Sequence, residues 1–314
     1  WTGNMKTLIV TSQAGFDHRI PPAHAEQPGR LRAVLDALAH PPLDAIARLE
    51  APLASREQLE RVHDGAHIDR IHASEPQDDA LVGLDWDTFM TKGSLEAGLR
   101  GAGAGIAGVD AVMAGQAEAV FCAIRPPGHH AERARAMGFC LFNNIAIAAM
   151  HALEAHQLNR VAIIDIDVHH GNGSQELAEA EPRVFFVSIH QSPLYPGTGM
   201  AGETGIDGNV LNIPVADGIS GADWRAHVEN ALLPAVNSFG PELVFVSAGF
   251  DAHQADPLAG LSLSDDDFAW VAVRFADLVK ELGHNRLVCL MEGGYDLAAL
   301  GRSAAVFVQS LAEA

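Results

Sequence analysis

Six short runs of unbroken apolar residues do most to narrow the folds open to this chain: KTLIVTS, AVFCAI, RVAIIDID, RVFFVSIH, LVFVSAG and RLVCLMEGG. A strand with one wet face alternates apolar and polar side chains. A strand covered on both faces does not, and such strands belong to parallel sheets roofed by helices. Segments with helical spacing separate the runs: PGRLRAVLDALAH, SLEAGLRGAGAGIAGVDAVMAG, NNIAIAAMHALEAH, DWRAHVENALLPAVNSF and DDDFAWVAVRFADLVKELG. This alternation predicts an α/β protein with a central, mostly parallel sheet. Gly98, Gly101, Gly105 and Gly108 predict that the second of these helices packs closely against a neighbour.

The 314 residues suit one large single-sheet domain. Residues 1–4 read as an appended remnant ahead of a native first strand, leaving 5–314 as a single domain. No apolar run approaches the roughly 18 residues needed to span a bilayer, and no secretory signal is evident. Cys122, Cys140 and Cys289 are odd in number, lack a CxxC pair and sit in or beside apolar segments. They read as reduced core thiols of a cytoplasmic protein. The formal charge of −20 repels a polyanion such as nucleic acid and attracts a cationic peptide or polyamine, although solubility alone would also account for it. No coiled-coil seam marks the helices, and a homo-oligomer stays open.

Five of the six apolar runs, all but KTLIVTS, meet a polar cluster at the carboxyl end: RPPGHH, VHHGNG, QSPLYPGTG, FDAH and EGGYD. Open parallel sheets place their ligand sites at that edge. Alternate residues of an extended strand share a face, so Val161, Ile163, Asp165, Asp167 and His169 form a line, apolar below and polar at the rim. Buried carboxylates are costly unless a positive charge compensates them. Asp167 and His169 could grip one cation, with Asp251 in SAGFDAH as the obvious third ligand. Two carboxylates and an imidazole leave coordination positions open, as a catalytic zinc site does. Asp165, one pleat deeper, could orient a histidine or bind a second, harder cation through oxygen. A lone DxD also caps turns or binds magnesium, and phosphatases with an aspartate nucleophile carry a similar run. Theirs lies near the chain start, however, and leaves His169-His170 unexplained. RPPGHH adds Arg125, His129 and His130; a neutral imidazole suits a general base, and its neighbour can stay charged against a buried carboxylate such as Asp165. Tyr295, on a diglycine turn, could donate to a polarised carbonyl oxygen. The long loops, residues 125–137 and 192–209, are of a length that is usually functional.

Taken together, RPPGHHAERARAMGFCLFNN, DIDVHHGNG, SIHQSPLYPGTG, SAGFDAHQADPLAG and MEGGYD resemble the zinc-dependent histone deacetylase-like family, closest to its class II members and the bacterial histone deacetylase-like amidohydrolases. The likeness runs from Pro28 to the end. It implies the arginase/deacetylase fold, three α/β/α layers around about eight strands. It also implies one zinc ion per chain on Asp167, His169 and Asp251, tandem His129 and His130 with His130 as general base and acid, and Tyr295 as the carbonyl-polarising phenol. Asp165 and Asn172 stand behind the histidines. A structural potassium ion is implied at Asp165, Asp167, His169, Ser188 and Ile189. Phe139 and Tyr195 wall the acyl-lysine tunnel with Gly138, Leu258, Gly293 and Gly294. Asp87 lies at the rim, and Arg30 along an acetate-exit channel.

Asn172 replaces the aspartate of class I relatives and leaves His130 less basic. Leu258 stands where polyamine-selective relatives carry an acidic gatekeeper, which leans towards acyl-lysine or another amide. The implied activity is hydrolysis of acetyl-lysine or a related N-acyl amine to acetate and free amine, through metal-activated water, the tandem histidines and Tyr295. The substrate partner is then an acylated-lysine peptide or N-acylated amine, with no nucleic acid and no membrane. The rivals are an acetylpolyamine or small-molecule amidohydrolase on the same site, a binuclear manganese ureohydrolase and a non-catalytic acyl-lysine-binding module. A ureohydrolase wants a further aspartate pair, and a binding module would lack a histidine or Tyr295.

Overall fold

The computed structural model describes residues 5–21 and 24–314; the remnant expected at residues 1–4 lies outside the described residues. Among the described residues ten strands form: β1 (Thr7–Thr11), β2 (Ala47–Glu50), β3 (Val82–Gly83), β4 (Phe89–Met90), β5 (Ala119–Ala123), β6 (Val161–Asp165), β7 (Val184–Gln191), β8 (Val210–Val215), β9 (Val244–Ala248) and β10 (Leu287–Met291). Eight of them build one sheet in the order β2-β1-β5-β10-β9-β6-β7-β8, parallel at every pairing. The hairpin β3–β4 stands apart. The expected parallel sheet of about eight strands is therefore present.

Strand interiors read as apolar runs because both faces are covered. Along β6, Ala162 and Ile164 pack into one layer, while Val161 and Ile163 pack into the other. The first layer takes α1 (Pro28–Leu38), α7 (Gly221–His227), α8 (Leu233–Phe239), α9 (Asp265–Glu281) and α10 (Leu297–Glu313). The second takes α4 (Ser94–Met113), α5 (Asn144–Glu154) and α6 (Asn172–Ala180). The short helices α2 (Arg56–Glu60) and α3 (Gly65–Ser74) pack at the flank. A Cβ on Gly105 would lie 2.8 Å from the Ala148 Cβ, so the close approach of α4 to α5 depends on its bare backbone.

Three features depart from the sequence reading. The outer strands β2 and β8 do not read as strands: β2 is exposed along its length, and β8 carries Pro214, which only an outer strand tolerates readily. The single helix expected over DWRAHVENALLPAVNSF breaks into α7, a π turn (Val228–Leu232) and α8, where Pro234 lacks the N–H a continuous helix would use. Helices α2, α3, α6 and α10 also went unread. No helix among the described residues is long and apolar enough to cross a membrane. All three cysteines are buried and unpaired.

Candidate active site

Strands β5, β10, β9 and β6 are neighbours in the sheet, and the polar clusters that follow them meet above it. Regular strand ends at Asp165, and the chain bends at residues 167–169 rather than continuing as strand, which corrects the straight line expected there. The alternation nevertheless persists: Ile166 and Val168 point into the core, while Asp167 and His169 turn to the rim. Donor atoms of Asp167, His169 and Asp251 lie within 4.8 Å of one another, and all three residues are buried.

Backbone amides aim these carboxylates. Asp167 accepts the His169 N–H at 2.9 Å and the Gly293 N–H at 2.7 Å, and Asp251 accepts the Val168 N–H at 2.9 Å. The Nδ1–H of His169 then lies between Asp167 Oδ1, 3.1 Å away, and Asp251 Oδ2, 3.2 Å away. Burial together with Asp167 pushes Asp251 up to about 7, and the two carboxylates, against burial, push His169 up to about 10. A divalent cation would satisfy all three donors, and their mixed N and O set suits zinc.

The tandem histidines are held differently. His129 Nδ1 lies 2.9 Å from Asp165 Oδ2. Burial opposes its charge, yet Asp165 and Asp167 carry it up to about 10. His130 Nδ1 lies 2.8 Å from Asn172 Oδ1. The Asn172 amide N–H groups face Glu132 Oε1 at 2.7 Å and His130 O at 3.3 Å, which turns the amide oxygen to the imidazole. His130 therefore carries its proton on Nδ1 and keeps Nε2 bare. Burial and the cationic histidines beside it hold His130 well below the usual imidazole range. Adjacent imidazoles pushed in opposite directions, with ring centroids 4.0 Å apart, mark out one charged group and one free base.

A cleft of about 700 Å³ opens onto His130, His169 and Tyr295. Gly138, Phe139, Tyr195, Leu258 and Asp87 line it, joined by His24, Trp86, Phe89 and Leu194. Tyr295 packs edge-on to Phe139 at 5.8 Å, under the Arg30 guanidinium at 4.7 Å. Burial keeps its phenol well above the ordinary range and so protonated. Asp87 accepts the Thr88 hydroxyl at 2.8 Å.

Gly293 and Gly294, expected on the tunnel wall, do not line the cleft. Gly293 lies against the metal-facing carboxylates, where a Cβ would strike Asp251 Oδ2. Gly294, at φ +121°, gives its carbonyl to Arg30 Nε at 2.6 Å. Arg30 is fully buried and engages each guanidinium nitrogen, with Gly294 O, Glu26 Oε1 and Glu292 O. Of the residues read as a potassium site, Asp165 Oδ1 accepts the Asp167 N–H at 3.1 Å, the Ser188 hydroxyl meets His190 Nδ1 at 2.8 Å and Ile189 lies in the core.

Two buried acids escaped the sequence reading. Glu292 Oε2 accepts the N–H groups of Gly128 at 2.6 Å and His129 at 3.2 Å, fixing the turn that presents the histidines, and burial pushes it up to about 7. Its place directly after β10 was the available signal. Glu26 pairs with Arg30 at 3.2 Å, four positions on, and with Arg125 at 2.6 Å, and nothing in the local sequence announces the second contact.

The sequence model of the histone deacetylase domain matches residues 24–311. Histone deacetylase 14, chloroplastic, of Arabidopsis thaliana is 37% identical, over 95% of this chain and 75% of that protein. The histone deacetylase-like amidohydrolase of Pseudomonas aeruginosa is 38% identical, over 88% of this chain and 75% of its own length. The crystal structure of the HDA15 HD domain aligns with a TM-score of 0.91 at 30% identity, covering 99% of this chain and 88% of that one.

Proposed function

The chain belongs to the histone deacetylase family, and from that membership we propose that it is a zinc-dependent deacylase, cleaving the amide of acetyl-lysine or a related N-acyl amine. The observation that carries the reading is the buried Asp167–His169–Asp251 trio at the end of a cleft shared with His130 and Tyr295.

Zinc held by those three residues would supply Lewis acidity to the acyl carbonyl and to water. His130, neutral and bare at Nε2, takes the proton of the attacking water and returns it to the departing amine. Tyr295 donates its phenol proton in a hydrogen bond to the carbonyl oxygen as negative charge grows there. His129, cationic against Asp165, offsets that charge and discourages early protonation of His130. Phe139, Tyr195, Leu258 and Gly138 enclose the acyl chain and keep bulk water out, while Asp87 serves the rim. A structural potassium ion beside Asp165, Ser188 and Ile189 belongs to the same reading and rests on the family resemblance. The formal charge of −20 keeps acetylated polyamines as a second substrate class, whereas Leu258 supplies no acidic partner for their distal amine.

The test is hydrolysis of acetyl-lysine peptides and acetylated diamines by the purified protein. Activity should stop on chelation, return with zinc and be absent in Asp251→Asn, which should also bind one zinc ion fewer. A zinc-loaded protein that binds these amides without cleaving any would overturn the assignment.

A further inference from the structure

At the opposite end of the sheet, Asp110, His151 and His156 converge. Asp110 lies in the last turn of α4, ahead of β5; His151 lies in the last turn of α5, and His156 follows that helix ahead of β6. The cluster therefore sits at the amino ends of strands whose carboxyl ends carry the active site. His151 Nε2 is 2.9 Å and His156 Nε2 is 2.7 Å from the same oxygen, Asp110 Oδ1. The two rings are inclined at 76°, with centroids 5.4 Å apart, so their nitrogens approach one point from different directions. All three donor atoms lie within 4.8 Å of one another. The His151 side chain is 9% exposed, while that of Asp110 is 56% exposed, so the point is walled on one side and open to solvent ligands on the other.

We infer that this trio is a second metal site, separate from the catalytic one, for a divalent transition ion such as zinc or nickel. Two imidazoles among three donors exclude magnesium and calcium as the preferred occupants, and three protein donors leave room for water. Bound there, the ion ties the ends of α4 and α5 together.

Arg61 regulates the site. Its Nη1–H donates to His151 Nδ1 at 3.1 Å, which keeps the imidazole proton on Nε2, facing Asp110. An ion on Nε2 requires that proton to move to Nδ1, and Arg61 must then leave. Glu57, already 3.2 Å from Arg61 Nη2, receives it. The guanidinium is thus a latch that metal binding displaces, and the site fills at a higher free-ion concentration than it would without Arg61.

Equilibrium dialysis of the full chain against buffered free zinc, with metal counted per chain, tests this. His156→Ala and Asp110→Asn should each hold one ion fewer than the native chain, whatever the state of the catalytic trio, and should show a smaller zinc-dependent rise in melting temperature than the native chain while deacylation persists. Arg61→Met should fill the second site at lower free zinc. Equal metal counts in the native chain and both ligand variants would overturn the site, and identical filling of the native chain and Arg61→Met would overturn the latch. Melting of the variants without zinc establishes that they are folded.

Discussion

Replacing Asn172 by aspartate puts a carboxylate 2.8 Å from His130 Nδ1, in the place of a neutral amide oxygen. Both residues are buried, so solvent screens the new charge little. An opposite charge at this range moves an imidazole upward by roughly one to three pH units, equivalent to about 1.4–4 kcal/mol of added preference for the protonated ring. Two things hold the change towards the lower end. His129 is cationic and its ring centroid stays 4.0 Å away, and the new carboxylate loses its N–H donation to Glu132 Oε1 at 2.7 Å. Glu132 is only half-buried and can turn to water. A base that gains affinity for its proton is neutral over a narrower range. The acid limb of kcat/KM should therefore shift to higher pH by that amount, with activity below it falling tenfold per pH unit, while the alkaline plateau is kept. The assay is a pH–rate profile from pH 5 to 9 on an acetyl-lysine peptide, with zinc content measured at each end. A folded, zinc-loaded Asn172→Asp protein whose acid limb coincides with that of the native chain would remove His130 as the base.

Tyr295→Phe should retain zinc yet lower kcat by roughly 100- to 1,000-fold, the cost of one oxyanion donor; turnover within a factor of a few of native would end its assigned role. Glu26→Gln leaves the buried Arg125 and Arg30 without their counter-charge and should destabilise the fold by about 3–5 kcal/mol in urea, so an unmoved midpoint would contradict the network. His63 is locked neutral, donating from Nδ1 to Glu132 O at 3.0 Å and accepting the Asn143 N–H at Nε2 at 2.9 Å, and burial with His67 beside it brings it down to about 3. The unfolded imidazole titrates near 6.5, so between there and about 3 the unfolded chain binds the extra proton and stability falls as pH falls. The loss at pH 5 relative to pH 7.5 is about 2 kcal/mol. His63→Gln should remove that much of the acid dependence, measured by urea unfolding at the two pH values; an unchanged dependence would refute it.

The centre of the sheet was legible because strands covered on both faces leave unbroken apolar runs, and the rim was legible because five of the six runs stop at a polar cluster. The sheet edges were not. β2 buries nothing that periodicity could register, and Pro214 disguises β8. Within the site, residues that act at strand ends could be named, but the partners that aim them come from far along the chain. Glu292 fixes Gly128 from 164 positions away, and Glu26 meets Arg125 across 99. Such contacts leave no local pattern. The EGGYD diglycine shows the difference: the turn was visible, whereas its service to Asp251 and Arg30, rather than to the cleft wall, follows only from the packing.

The last strand in chain order, β10, lies in the middle of the sheet, between β5 and β9. Until it inserts, two half-sheets face each other with unpaired backbone N–H and C=O groups along their edges, and the groups that would hold zinc and grip the amide belong to separate fragments. A ribosome-bound chain short of Leu287 is thus an aggregation hazard with no working centre, one that chaperones would be expected to shield. Closure of that slot makes completion of folding and onset of catalytic competence the same event.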